Sequence, residues 1–272
     1  MKLGIFAKTF KSDSVEALFG NIQQHGIACV HYNMVCSGLS ELPHHVPRHI
    51  INEINQQARK HQLELVGLSA TFNMIDPDPM VRLDGLRSLK TISRTAKAIG
   101  TDFISLCTGS KGPDKWEWHP DNNTAGAWTD LVQTMQEAIK IAEEYNIILG
   151  IEPETGNIVR NAPLARKLLN EMASDRLGII LDPANLFEQV KNPKAINRLI
   201  LESLDILQDR IKVVHAKDRS INGAIQPAGK GDVDFPFFIE QLQAINFDGP
   251  LVLHGLDKED VGSSVSFLRN LI

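Results

Sequence analysis

The sequence predicts an α/β protein closed into a (β/α)8 barrel, and three observations carry that prediction. Eight short apolar runs recur along the 272 residues, each followed by a longer segment with helical period. Such alternation calls for parallel strands joined by crossover helices. The later runs are apolar almost without interruption, as strands of a sheet covered on both faces are. An open doubly wound sheet would need a glycine fingerprint for phosphate near its start, and none is present. No linker or shift of composition divides the chain, so residues 1–272 read as one barrel domain of ordinary size.

The strand-like runs are KLGIFA (2–7), ACVHYN (28–33), LELVGLSA (63–70), DFISLCT (102–108), IILGIE (147–152), LGIILD (177–182), IKVVH (211–215) and PLVLH (250–254). Leu86, Leu89 and Ile99 mark the helix after the third run. After the fourth, Trp128, Leu131, Val132, Met135, Ala138, Ile139 and Ala142 step by three and four, which sets them on one helical stripe. Ile196, Leu199, Ile200, Leu204 and Leu207 serve the helix after the sixth. Helix starts are signalled by Asn161 ahead of Pro163 and by Asn192 before Pro193. The longest connection, GSKGPDKWEWHPDNNT (109–124), reads as a lid or pocket wall.

Net charge is −5, from 33 acids against 28 bases, with no long block of one sign. That gives no basic footprint for nucleic acid. A small anionic ligand stays open, because a pocket can be locally positive inside an acidic protein. No apolar run is long enough to span a bilayer, and the first residues lack the features of a signal peptide, so a cytoplasmic protein without a membrane partner is expected. Cys29, Cys36 and Cys107 are isolated and read as reduced thiols, at least partly buried. The sequence leaves a homo-oligomer open.

Active sites of such barrels gather at the C-terminal ends of the strands. The last four runs end in Glu152, Asp182, His215 and His254, at intervals of 30, 33 and 39 residues. Each interval is close to one strand–helix unit, so the four side chains should meet on one rim. Singly, such an acid caps the next helix and such a histidine is a hydrogen-bonded core residue. Together, two carboxylates and two imidazoles point to a divalent cation, which offsets charges that burial otherwise penalises.

IEPE (151–154), LDPAN (181–185), VHAKD (214–218), GKGDVDF (229–235) and GPLVLHG (249–255) resemble the xylose-isomerase-like TIM-barrel family of sugar and sugar-phosphate isomerases and epimerases. The resemblance covers the whole chain. It implies one divalent metal held by a glutamate, an aspartate, a histidine and a glutamate on strands five to eight. Glu152, Asp182 and His215 match the first three. His254 stands where many members carry the second glutamate of an acid/base pair astride the substrate. Asn185 stands where a histidine is often found. Histidine can bind metal and move a proton, but the symmetric two-glutamate epimerase arrangement is lost.

On the same rim, Glu154 is either a free general base or a partner that orients a lysine. Lys217 can polarise a carbonyl or hold a phosphate, and Asp218 can steer His215. The loop GKGD (229–232), with Lys230, sits where barrels often hold phosphate and is equally consistent with a plain turn. His31 and Asn33 close the second strand. Trp116 and His119 lie in the long loop, where an aromatic face can stack on a sugar or simply anchor the segment. His44, His45 and His49 read as surface residues.

These residues describe a metal-dependent isomerase or epimerase of a small sugar, polyol or hydroxy-carbonyl compound. Its proton transfer would pass through a metal-bound enediolate. Glu152 is the expected proton carrier, with Glu154 or His254 as the second acid/base. His31, Trp116, His119, Asn185, Lys217 and Lys230 are the expected substrate-binding residues. The ion is one of zinc, manganese, magnesium, iron or cobalt; nitrogen ligands shift preference away from magnesium. Two rivals use the same scaffold: a dehydratase, in which the intermediate expels a β-hydroxyl, and a non-catalytic sugar-binding protein.

Overall fold

A computed structural model describes residues 1–272. Its first seven strands are β1 (Lys2–Phe6), β2 (Cys29–Tyr32), β3 (Glu64–Ser69), β4 (Phe103–Leu106), β5 (Ile148–Ile151), β6 (Leu177–Leu181) and β7 (Ile211–Ala216). A small antiparallel hairpin follows, made of β8 (Asp218–Arg219) and β9 (Ile225–Gln226). The last strand, β10 (Pro250–Leu253), pairs in parallel with both β7 and β1 and closes an eight-stranded barrel. The hairpin was not anticipated, because two residues per strand are too few to show alternation.

The helices alternate with the barrel strands: α1 (Val15–Gln24), α2 (Arg48–His61), α3 (Pro79–Ile99), α4 (Ala125–Tyr145), α5 (Ala162–Met172), α6 (Pro193–Leu207), α7 (Phe235–Ala244) and α8 (Val261–Arg269). Local chemistry sets where they begin. Asn161 and Asn192 each accept from the N–H three residues on, satisfying a donor the first turn leaves free. Proline in the first turn of both helices costs no hydrogen bond there. On α4 the stripe buries Leu131, Met135, Ala138, Ile139 and Ala142, while Trp128 stays half-buried and donates to Glu171 at 2.8 Å.

The main core lies between the strands and this helical ring. Inside the barrel a smaller cluster of Phe103, Ile180, Val213 and Val252 fills the floor. Gly150 is required beside it, since a Cβ there would come 2.2 Å from the Phe103 ring. Gly67 does the same for His31, whose ring a Cβ would meet at 2.9 Å. The floor thus closes the barrel from below and leaves its C-terminal mouth to polar side chains. No helix of the chain is long and apolar enough to cross a membrane.

Candidate active site

Glu152 follows β5, Asp182 follows β6 and His215 lies in β7, so three successive strands deliver them to one place. Their ligand-capable atoms all lie within 4.8 Å of one another. His215 Nδ1 is 3.4 Å from Glu152 Oε1 and 3.6 Å from Asp182 Oδ2. Donors held about 2 Å from one ion sit about 3–3.5 Å apart, so these spacings suit a single cation.

Asp182 is fully buried. Its Oδ1 accepts from the Ala184 N–H at 2.9 Å, capping the short turn Pro183–Asn185. Its Oδ2 has no hydrogen-bond partner, and neither ring nitrogen of buried His215 has one. Buried polar atoms are normally paired. Unpaired lone pairs facing one another across a carboxylate and an imidazole are what a metal satisfies, so the residues fit the ion the sequence implied.

Electrostatics follow from this crowding. Burial works against a charged His215, yet Glu152 and then Asp182 push its pKa up to about 9. Burial also works against an ionised Asp182, but Lys217 and His215 hold it well below the usual carboxylate range. Glu154 moves the other way: burial and then the neighbouring Glu152 raise it to about 7.

Lys217 and Asn185 are buried and spend their polar atoms within the site. Lys217 Nζ lies 3.5 Å from Asp182 Oδ2 and donates to Asn185 Oδ1. The Asn185 amide in turn donates to Glu152 Oε1 at 2.6 Å. Lysine therefore fixes the orientation of the amide, and the amide fixes Glu152.

His254 follows β10 with its ring 5.2 Å from that of His215 and 5.1 Å from that of Phe6. It stands beside the close group of three rather than within it. Burial, and then the charge on His215, holds its pKa well below the ordinary histidine value. His31 lies behind His215, with ring centroids 6.4 Å apart and its Nε2 3.0 Å from Ser105 Oγ. Burial lowers its pKa to about 3, so it is neutral.

A cavity of about 300 Å³ opens above these groups, walled by Glu152, Glu154, Asn185, His215, Lys217 and His254. Trp116 reaches it from the long loop, which stands as a wall of the pocket. Asn157 braces that loop, accepting from the N–H groups of Thr108 (2.9 Å) and Gly109 (2.8 Å) and donating to the Lys115 carbonyl (3.1 Å). A larger opening of about 560 Å³, with Glu64, Phe103, Leu177 and Pro250 among its walls, lies at the strands' N-terminal ends and holds none of these groups.

Several expected residues lie elsewhere. His119 accepts from the Asp121 N–H at 3.3 Å and forms no part of the cavity wall. Lys230 pairs with Asp260 at the exposed surface and does not reach the pocket. Asp218 does not steer His215, because its oxygens are taken by four backbone N–H groups of the following loop. His44, His45 and His49 are exposed as anticipated, with His44 turned to Asp84 and Ser88. The three cysteines are free thiols.

Lys8, Glu41 and Ser105 escaped the sequence reading. Lys8 had a signal, since it follows the first strand and must lie on the rim. Glu41, in the irregular stretch before α2, had none.

The family model for the xylose isomerase-like TIM barrel matches residues 19–271, and the chain belongs to that family. An uncharacterized protein of Methanocaldococcus jannaschii is 22% identical over 279 residues, covering 100% of this chain and 89% of that one. Among solved structures, the 3-keto-D-glucoside 4-epimerase of E. coli superposes with a TM-score of 0.79 at 18% identity, covering 99% of both chains. The IOLI protein, solved with a bound zinc atom, gives 0.76 at 16% identity over 100% of this chain and 96% of its own.

Proposed function

We infer that the protein is a metal-dependent isomerase or epimerase of a small sugar, polyol or hydroxy-carbonyl compound, which takes a proton from the carbon beside a carbonyl and returns it to the same or the neighbouring carbon. One observation carries this reading: the unpaired donor atoms of Asp182 and His215 face each other and Glu152 at the base of a polar cavity. Glu152, Asp182 and His215 would hold the ion, with His254 adjacent. A divalent cation bound there supplies Lewis-acid polarisation of a carbonyl and its neighbouring hydroxyl. The zinc found in the IOLI protein and the sugar chemistry of the E. coli epimerase agree with this choice.

The chain's own groups divide the remaining work. Glu152 is oriented by Asn185 to take a proton from carbon on its side of the substrate. Glu154, with its pKa raised to about 7, can hold or release a proton near neutral pH, as a general acid/base must. His254 is neutral and a weak base in this setting, so Glu154 is the better second proton carrier. Trp116 offers an aromatic face at the mouth for the apolar side of a sugar ring.

The test is solvent exchange. Protein loaded with zinc, manganese or cobalt is incubated in D2O with a panel of ketopentoses and ketohexoses, and proton NMR follows the hydrogen next to the carbonyl. Exchange that disappears in Glu152→Gln is expected, with Glu154→Gln slowing it by about 10²–10⁴-fold. No exchange with any member sinks the reading and favours a binding protein. Accumulation of an eliminated product moves the assignment to the dehydratase.

A further inference from the structure

We propose that Ser105 is a catalytic hydrogen-bond donor, set by the buried imidazole of His31 to hold the substrate oxygen that turns anionic as a proton leaves the adjacent carbon. The proposal rests on the proton-transfer reading of the site. Ser105 lies in β4 and lines the cavity, in register with Ser69 of β3 and Gly150 of β5. Side chains two residues apart on a strand share a face. Glu152, two residues beyond Gly150, therefore stands on the same wall one step nearer the mouth. The hydroxyl and the Glu152 carboxylate border one cavity from neighbouring strands.

His31 lies behind that wall. It pairs in register with Gly67 of β3, and its ring leans across that glycine so that Nε2 comes 3.0 Å from Ser105 Oγ. Phe6 packs against the ring at 5.1 Å, and Phe103 meets it edge-on at 6.3 Å. The residue is fully buried and no carboxylate pairs with it, so the imidazole is neutral. A neutral imidazole has one N–H and one acceptor nitrogen. Nδ1 has no hydrogen-bond partner. A proton on Nδ1 would bury an N–H with nothing to donate to, which proteins almost never keep, whereas an under-used acceptor is better tolerated. The hydrogen-bond network thus assigns the proton to Nε2, which donates to Ser105 Oγ.

With its oxygen accepting from His31, Ser105 keeps its own hydrogen to give, and no group of the protein takes it. The cavity is where that hydrogen is spent. The His31 N–H also polarises the hydroxyl, which strengthens the bond the hydroxyl donates. A donor fixed in advance toward developing negative charge stabilises the transition state more than the bound substrate. The direction of the Ser105–His31 bond also excludes a nucleophilic serine. Such a serine needs a base that accepts its proton and a third group that orients the base, whereas His31 donates and its Nδ1 is unpartnered. His31 forms no part of the cavity wall. The sequence suggested that it binds substrate; its place in the fold makes it a positioning residue that acts through Ser105.

Two measurements test this, one of them independent of turnover. Nitrogen-15 NMR of histidine-labelled, zinc-loaded protein reads the tautomer, with the His31 signals identified by their loss in His31→Gln. They should show a proton on Nε2 alone, at pH 6 as at pH 8. A proton on Nδ1 overturns the proposal. The second measurement is deuterium exchange in D2O, with the ketopentose or ketohexose that the metal-loaded parent exchanges fastest. Ser105→Ala should lower kcat by about 10²–10³-fold while KM and metal content stay near those of the parent. A loss confined to KM, or a rate close to the parent's, overturns the proposal and leaves the proton-transfer reading standing. Absence of exchange by the parent with every ketose sinks that reading, and the proposal with it. His31→Gln keeps a donor at similar reach and should retain about tenfold more of the rate than His31→Leu; equal rates in the two would overturn the role given to His31.

Discussion

Asp182 divides its oxygens between two tasks, and substitutions can separate them. Oδ1 caps the turn that follows β6, while Oδ2 faces His215 and Lys217 without a hydrogen bond. Asparagine caps about as well as aspartate, whereas alanine gives up about 1 kcal/mol. Asp182→Asn should therefore keep the cap, melt higher than Asp182→Ala in the metal-free protein although it gives up the ion pairs with His215 and Lys217, and still lose most of its metal. Asp182→Ala should lose both. Elemental analysis beside thermal melts checks this, and full metal content in Asp182→Asn would remove Asp182 from the ligand set. Asn185 is a gentler case: its amide joins Lys217 to Glu152, and Asn185→Ala should weaken metal binding by about 10–100-fold in a competition titration. Unchanged affinity would reduce the amide to packing. Asp182 was legible in the sequence because an acid directly after five buried apolar residues demands a reason. The Lys217–Asn185–Glu152 chain was not legible, since it links three different strand–helix units through side-chain directions that spacing does not specify.

Elements were read from periodicity and caps, and there the sequence was generous: Asn161 and Asn192 start α5 and α6, and the α4 stripe faces the core. The long connection before α4 was legible in length but not in how it is held. Its brace, Asn157, lies in the next strand–helix unit, and nothing local marks it. Asn157 is fully buried with its amide committed on both ends. Removing it leaves buried N–H and C=O groups unpaired, at about 1–3 kcal/mol each. Asn157→Ala should release the wall that carries Trp116, so that trypsin cuts the folded protein after Lys111 or Lys115 while the far-ultraviolet circular dichroism is retained. Cleavage no faster than in the parent protein would show that the wall is held by something else.

Closure of the barrel gathers charges that the linear chain keeps about one strand–helix unit apart, and the whole molecule responds to pH accordingly. The rim was legible because a (β/α)8 topology returns every strand end to one face; the charge balance within it was not, because it depends on Lys217 lying 3.5 Å from Asp182. In the metal-free protein the His215 pKa stands at about 9, against an ordinary value of 6.5. A group whose folded pKa is raised contributes stability that is fully present below the unfolded value and fades as pH climbs through the folded one. The metal-free protein should therefore lose melting temperature between pH 7 and pH 9.5. Metal needs the neutral imidazole, so uptake near pH 7 must expel about one proton, and affinity should rise by up to about tenfold per pH unit until His215 has titrated. Bound metal then stabilises more as its affinity grows. The melting-temperature difference between metal-loaded and chelator-treated protein should widen from pH 7 to pH 9, with calorimetric titration in two buffers of unlike ionisation enthalpy counting the proton. In His215→Gln both the proton release and the widening should vanish. A constant gap in the parent protein, or metal uptake without proton release, would mean that His215 is not the group the ion displaces a proton from.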